Sequence, residues 1–210
     1  APVLIGSGQD SPIGLFAYVA LLDAGMLVIA WRRPWRALNL LAFVGTFVLG
    51  AAWGWRYYTP GYFGQVEPFL VLFFAFFAVI PLLYARAQAG AGRMDRQVDS
   101  ALLFGAPLAG FAMQAGLLGD NHVGLGLSAL VVAIVYASVA MAARRRPALE
   151  HLFVGAVAIC LGFLAMAIPL ALSGRWTSAA WALQGLAMVF VGLGQSRRLL
   201  HCAGVWLVGL

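Results

Sequence analysis

Three strongly polar side chains lie at depth inside long apolar runs: Asp23, Gln114 and Gln184. Placing a carboxyl group in hydrocarbon costs about 2.5–3.5 kcal/mol on insertion scales, so its presence calls for a chemical reason. Asp23 is the twelfth residue of the run from Pro12 to Trp31, close to the middle of a bilayer-spanning length. That position suits a proton or cation site, or a partner for a polar substrate group. It also suits a hydrogen-bonded tie between helices. The sequence offers no second intramembrane charge to pair with Asp23, which favours the tie.

At a rise of about 1.5 Å per residue, Gln114 falls roughly 6 Å below the end of its helix and Gln184 roughly 10 Å below the start of its own. Arg56, Glu67, Arg175 and Trp176 stand above them at the same surface. Together with Asp23 these residues outline an expected polar cavity open to the outside. The competing account is hydrogen bonding between helices at Asp23, Gln114 and Gln184, beneath an ordinary interfacial belt.

Other residue types carry less. His122, His151 and His201 stand singly near helix ends, with no second ligand at metal-binding spacing, so no metal site is expected. Cys160 and Cys202 lie in apolar segments and read as small hydrophobes rather than a disulfide or zinc framework. The sequence has no HExxH, no nucleotide-binding loop and no paired carboxylates on one helix face. Ser7 and Ser173 lack the glycine placement of a nucleophile motif, so no catalytic residue and no cofactor is assigned. Trp53, Trp55, Tyr57, Tyr58, Tyr62 and Phe63 would make a sugar- or lipid-binding shelf, but aromatics gather at membrane boundaries in any case. Gly50 and Gly54 form a small-xxx-small pair that permits a close helix contact.

The elements that must hold these residues follow from composition. Hydrophobic residues make up 63% of the 210 and charged ones only 10%, whereas a soluble domain carries about 25% charge. Such a chain cannot cover itself with polar surface, so its solvent is lipid. The expected fold is all-α, a single polytopic transmembrane bundle with seven full helices and a truncated eighth. The runs are 12–31, 35–54, 68–85, 100–118, 123–143, 148–172, 177–195 and 199–210. Pro68 suits a first helical turn, and Pro107 predicts a kink. The aromatic stretch 55–63 and the polar stretch 86–99 read as loops.

The net charge of +6 comes from arginines in short clusters. They do not form the continuous basic face that nucleic acid requires, so no nucleic-acid partner is expected. Alternate loops hold Arg32, Arg33 and Arg36; then Arg86, Arg93 and Arg96; then Arg144, Arg145 and Arg146; then Arg197 and Arg198. Only Arg56 and Arg175 fall on the opposite side. The positive-inside rule puts the clustered arginines in the cytoplasm and the N-terminus outside. The strings AWRRPWRALN and AARRRPALEH share an Arg-Pro pair, at 33–34 and 146–147. A parallel duplication would produce this echo, and so would two tight basic hairpins. The stretch APVLIGSGQD has no basic leader. The last run stops after twelve residues, where a span needs about twenty. An excerpt cut inside a helix is expected.

The segment IPLALSGRWTSAAWALQGLAMVFVGLGQSRRLL is similar to the signature stretch of the bacterial predicted membrane proteins of domain-of-unknown-function family 2339. VEPFLVLFFAFFAVIPLLYA, SALLFGAPLAGFAMQAGLL and AWRRPWRALNLLAFVGTF resemble it too, so the similarity covers most of the chain. Its most specific part is the Gly-Arg-Trp-Thr turn followed by Ala-Trp-Ala-Leu. The family pattern has Glu after that Ala-Leu, where this chain has Gln184. The amide weakens a proton-site role there. The resemblance implies a bacterial inner-membrane location in a longer protein. Membrane lipids and the remaining helices of that parent would be the partners. It brings no established activity, ligand or catalytic residue.

Three functions fit these readings. A carrier or permease-like unit would have a water-accessible cavity reaching Asp23. A non-catalytic envelope scaffold or assembly partner would have a dry core and a flat interaction surface. A membrane enzyme acting on lipid-linked or envelope glycans would bring Arg56, Glu67 and Arg175 together. The carrier ranks first with the scaffold nearly level, and the enzyme third.

Overall fold

The computed structural model describes residues 12–32, 35–85, 93–145, 149–171 and 185. The expected helices 177–195 and 199–210, the Arg33-Pro34 and Arg146-Pro147 pairs, and Arg175, Trp176 and Gln184 lie outside the described residues. Among the described residues there are six α-helices and no strand: α1 Pro12–Arg32, α2 Arg36–Tyr57, α3 Phe63–Ala85, α4 Arg93–Leu118, α5 His122–Ala143 and α6 Glu150–Ala171. All six are long and apolar enough to cross a membrane.

Helices α1, α5 and α6 match their apolar runs to within two residues at each end. The other three are longer than expected. α2 continues to Tyr57, and Pro60 then opens a 3-10 turn, Pro60–Tyr62, that leads into α3 at Phe63. The aromatic stretch is therefore mostly helical, with Pro60 rather than Pro68 at the entry, where its fixed φ suits the first turn. α4 begins at Arg93, seven residues before its apolar run. Arg, Met and Gln in that polar stretch are good helix formers, so the backbone winds without an apolar face to signal it.

The chain packs as two compact units, Ala1–Leu117 with Ala140–Gly155 and Leu118–Val139 with Ala156–Leu210. In the first, Phe16, Phe47, Phe73, Phe77 and Leu102 are buried in the core. The Phe16 ring meets Trp53 edge-on at 5.1 Å, and Phe43 meets Phe77 edge-on at 5.3 Å. Each such pair is worth about 0.5–1.5 kcal/mol beyond area burial. That matters in lipid, where burying one apolar surface against another gains little by transfer.

α2 carries the polar seam of this unit. Arg36, Asn39, Phe43, Thr46, Gly50 and Trp53 recur at alternating spacings of three and four, the seam of a heptad pattern. Arg36, Phe43 and Gly50 meet Asp99, Gly105 and Met113 of α4. Asn39 meets Tyr84 of α3, while Thr46 and Trp53 meet Asp23 and Phe16 of α1. The approach to α4 is tight: a Cβ on Gly105 would stand 3.0 Å from Phe43 Cζ, and one on Gly50 2.8 Å from Met113 Cε.

In the second unit, α5 starts at a capped turn. Gly119 takes a left-handed φ of 53°, and Asn121 Oδ1 accepts the Gly124 N–H at 3.0 Å. Leu125, Ala129, Ala133 and Tyr136 are buried on α5, as are Ile159, Phe163 and Ala167 on α6. A Cβ on Gly126 would fall 2.7 Å from Ala171 Cβ and 2.9 Å from its backbone nitrogen, so glycine lets the two backbones touch there.

Candidate functional site

The polar side chains of the first unit form three tiers along α1–α4. The tier at the arginine-rich ends is built around Arg36, the first residue of α2. Its Nε donates to both Asp99 oxygens, at 3.1 and 3.2 Å. Arg36 is 9% exposed and Asp99 6%. The guanidinium also stands 5.3 Å from the centroid of the Tyr84 ring, a cation–π geometry. Asn39 Nδ2 donates to Tyr84 Oη and to the Trp35 carbonyl. One cluster thus joins α2, α3 and α4. Arg36 opens α2, where a long side chain can still reach the interface, and Asp99 lies seven residues into α4.

The middle tier is Asp23 on α1 with Thr46 on α2. Thr46 Oγ1 lies 2.9 Å from one Asp23 oxygen and 3.1 Å from the other, so its single hydrogen is shared between them. Asp23 is 5% exposed. At about 1.5 Å per residue the pair is roughly 14–15 Å from the arginine-rich helix ends, near mid-depth.

At the aromatic ends, Gln114 Nε2 of α4 donates to Glu67 Oε1 of α3 at 3.0 Å. Tyr58, just past α2, donates its hydroxyl to the Leu117 carbonyl at 2.7 Å. Burial, and then the nearby Glu67 carboxylate, push the Tyr58 phenol above its ordinary value of 10.0. Arg56 is exposed, with its guanidinium 5.9 Å from the Tyr57 ring centroid, and Trp55 beside it is 96% exposed. These are the features of an interfacial belt.

Of the residues singled out in the sequence, the structure joins Gln114 to Glu67 and bonds Asp23 to Thr46. Arg56 lies over Tyr57, and Gln184, Arg175 and Trp176 are outside the described residues. Asn39, Thr46, Tyr84 and Asp99 are polar partners that do not stand out in the sequence, where Arg36 reads only as a topology arginine and Tyr58 only as a belt or shelf aromatic. The signal for three of them was present in α2, where Arg36, Asn39 and Thr46 share one seam. Among the described residues no three His, Cys, Asp or Glu side chains gather to hold a metal ion.

Six membrane-length helices, with polar groups paired between neighbours, make this a polytopic α-helical membrane protein. More particularly, the chain belongs to the family described as predicted membrane protein (DUF2339), whose model matches residues 1–210. No curated protein and no solved structure matches it.

Proposed function

We propose that this chain is a non-catalytic membrane scaffold, a fixed helical bundle on which the other helices of a longer protein assemble. One observation carries the reading. Asp23, Arg36, Asn39, Glu67 and Gln114 each bond a residue on a neighbouring helix, through three successive tiers. A transport cycle would have to repack those helices, and each buried polar group left without its partner costs about 1–3 kcal/mol. Ties at three depths oppose that motion.

The finer topology belongs to the same proposal. The arginine-rich helix ends face the cytoplasm and the N-terminus lies outside, in a bacterial inner membrane. Two further helices follow, over 177–195 and 199–210. A second reading is favoured by Asp23 alone: a mid-depth carboxyl with a hydroxyl neighbour also suits a carrier. Its outward polar cavity would be lined by Asp23, Gln114 and Gln184 beneath Arg56, Glu67, Arg175 and Trp176.

Single cysteines at 23, 67, 114 and 184, in a background with Cys160 and Cys202 replaced, separate the two. A membrane-impermeant thiol reagent should modify position 67 from the side of the aromatic helix ends, and should leave 23, 114 and 184 untouched from either side. Modification at 23 would overturn the scaffold and support the carrier.

A further inference from the structure

Asp23 is chemically richer than a helix tie requires. Asn39 links α2 to α3 with an uncharged amide, and Ser128 satisfies its hydroxyl within α5 by donating to the Gly124 carbonyl at 2.9 Å. α1 instead places an ionisable group, 5% exposed, at mid-depth against a single threonine hydroxyl. The titratable groups on the packed helices lie elsewhere. Arg36, Tyr84 and Asp99 form the arginine-rich tier, and Glu67 bonds Gln114 at the aromatic ends, with Tyr57, Tyr62 and the exposed Arg56 nearby. On α1 itself Tyr18 is exposed and Arg32 closes the helix. Between those ends, α1–α4 carry no charged side chain other than Asp23 among the described residues. Phe47, Phe73, Phe77 and Ala106 are among the buried residues around mid-depth.

We propose that Asp23 and Thr46 form a proton-binding site in the membrane interior. In the carboxylate form Thr46 donates its hydroxyl hydrogen to Asp23, as the observed geometry allows. On proton uptake an O–H bond forms at one Asp23 oxygen, and that O–H donates to Thr46 Oγ1. The threonine hydrogen then turns to the Ala42 carbonyl one turn back, the same bond Ser128 makes on α5. The proton comes from hydronium in the bathing water, whose O–H bond breaks and leaves water; within the protein the Thr46–Asp23 hydrogen bond exchanges donor and acceptor and no covalent bond is broken. A hard metal cation seeks about six oxygens or more. The pair offers three, so the proton is the ligand that fits.

The test uses the full chain in vesicles of phosphatidylethanolamine and phosphatidylglycerol, with dicyclohexylcarbodiimide as the lipid-soluble probe. It activates a protonated carboxyl to an O-acylisourea that rearranges to a stable N-acylurea, located by peptide mass spectrometry. The expected result is an adduct on Asp23 that declines about tenfold per pH unit above its midpoint, and that Asp23→Asn abolishes. The infrared carbonyl band of the protonated carboxyl should vanish in Asp23→Asn and shift in Thr46→Val, which removes its hydrogen-bond partner. Wild-type titration alone suffices if a variant fails to insert. No Asp23 adduct from about pH 5 to about pH 9, or a band indifferent to pH or to Thr46→Val, would overturn the proposal. A proton is far smaller than a thiol reagent, so a titrating Asp23 is compatible with a position 23 shielded from cysteine probes.

Discussion

Removing one member of the Arg36–Asp99 pair should destabilise the bundle more than removing both. Arg36 and Asp99 are buried, and Nε holds both carboxylate oxygens at 3.1–3.2 Å. Deleting one partner of a buried pair typically costs about 3–5 kcal/mol, because the remaining charge loses its opposite. Arg36 opens α2 and its long side chain can reach toward water once relieved, so Arg36→Met, which strands the short Asp99 inside α4, lies higher in that range, and Asp99→Leu costs about 3 kcal/mol. That corresponds to roughly two orders of magnitude in the unfolding equilibrium. The double variant removes both charges at similar volume and should lie within about 1 kcal/mol of wild type. Reversible unfolding in bicelles, followed by tryptophan fluorescence, supplies the four stabilities of a double-mutant cycle. Single variants costing under about 1 kcal/mol, or a double variant costing the sum of the singles, would show that the pair behaves like an exposed one and refute the reasoning.

The same unfolding assay checks the other ties. Thr46→Val removes the hydrogen bond to the buried Asp23 carboxyl and should cost about 1–3 kcal/mol, whereas Gln114→Leu, at a part-buried pair, should cost about 0.6 kcal/mol, the average for hydrogen bonds between membrane helices. Gly105→Leu drives atoms into the Phe43 ring and should cost about 1–3 kcal/mol or more; Gly50→Ala should cost less, because the atom it meets is the mobile end of Met113. The Tyr58 phenol is raised above 10.0. Its contribution is therefore complete below the unfolded-state value and is lost as pH rises through the folded one. The slope of stability against pH should turn downward above about pH 10 and become less steep in Tyr58→Phe.

Much of this architecture was legible because hydrocarbon leaves so little choice. Runs such as Val123–Ala143 can only be helices there, since their backbone groups must bond internally. Boundaries failed where polarity and helicity part company. Residues 93–99 read as a loop because they are charged, yet they form the first turns of α4. That error concealed Asp99, and with it the pairing of Arg36. In the sequence Arg36 is one arginine in a basic cluster and signals only topology. Asp23 announced itself by the energetic cost of a carboxyl at mid-depth. Thr46 did not, since a lone hydroxyl in an apolar helix is cheap and common. Gln114 and Glu67 were chosen separately, one for depth and one for charge. Only the packing of α3 against α4 shows that they bond to each other.

The seam on α2 also sets a clock on biogenesis. Its partners emerge at growing distances along the chain: Thr46 follows Asp23 by 23 residues, Tyr84 follows Asn39 by 45, and Asp99 follows Arg36 by 63. At about 5–20 residues per second, the last partner is synthesised roughly 3–13 s after the arginine that needs it. For that interval α2 carries a charge with no helix yet made to receive it, and until Tyr84 is made an amide in the same condition. The insertion machinery, or water at the arginine-rich end, must shelter α2 until α4 arrives.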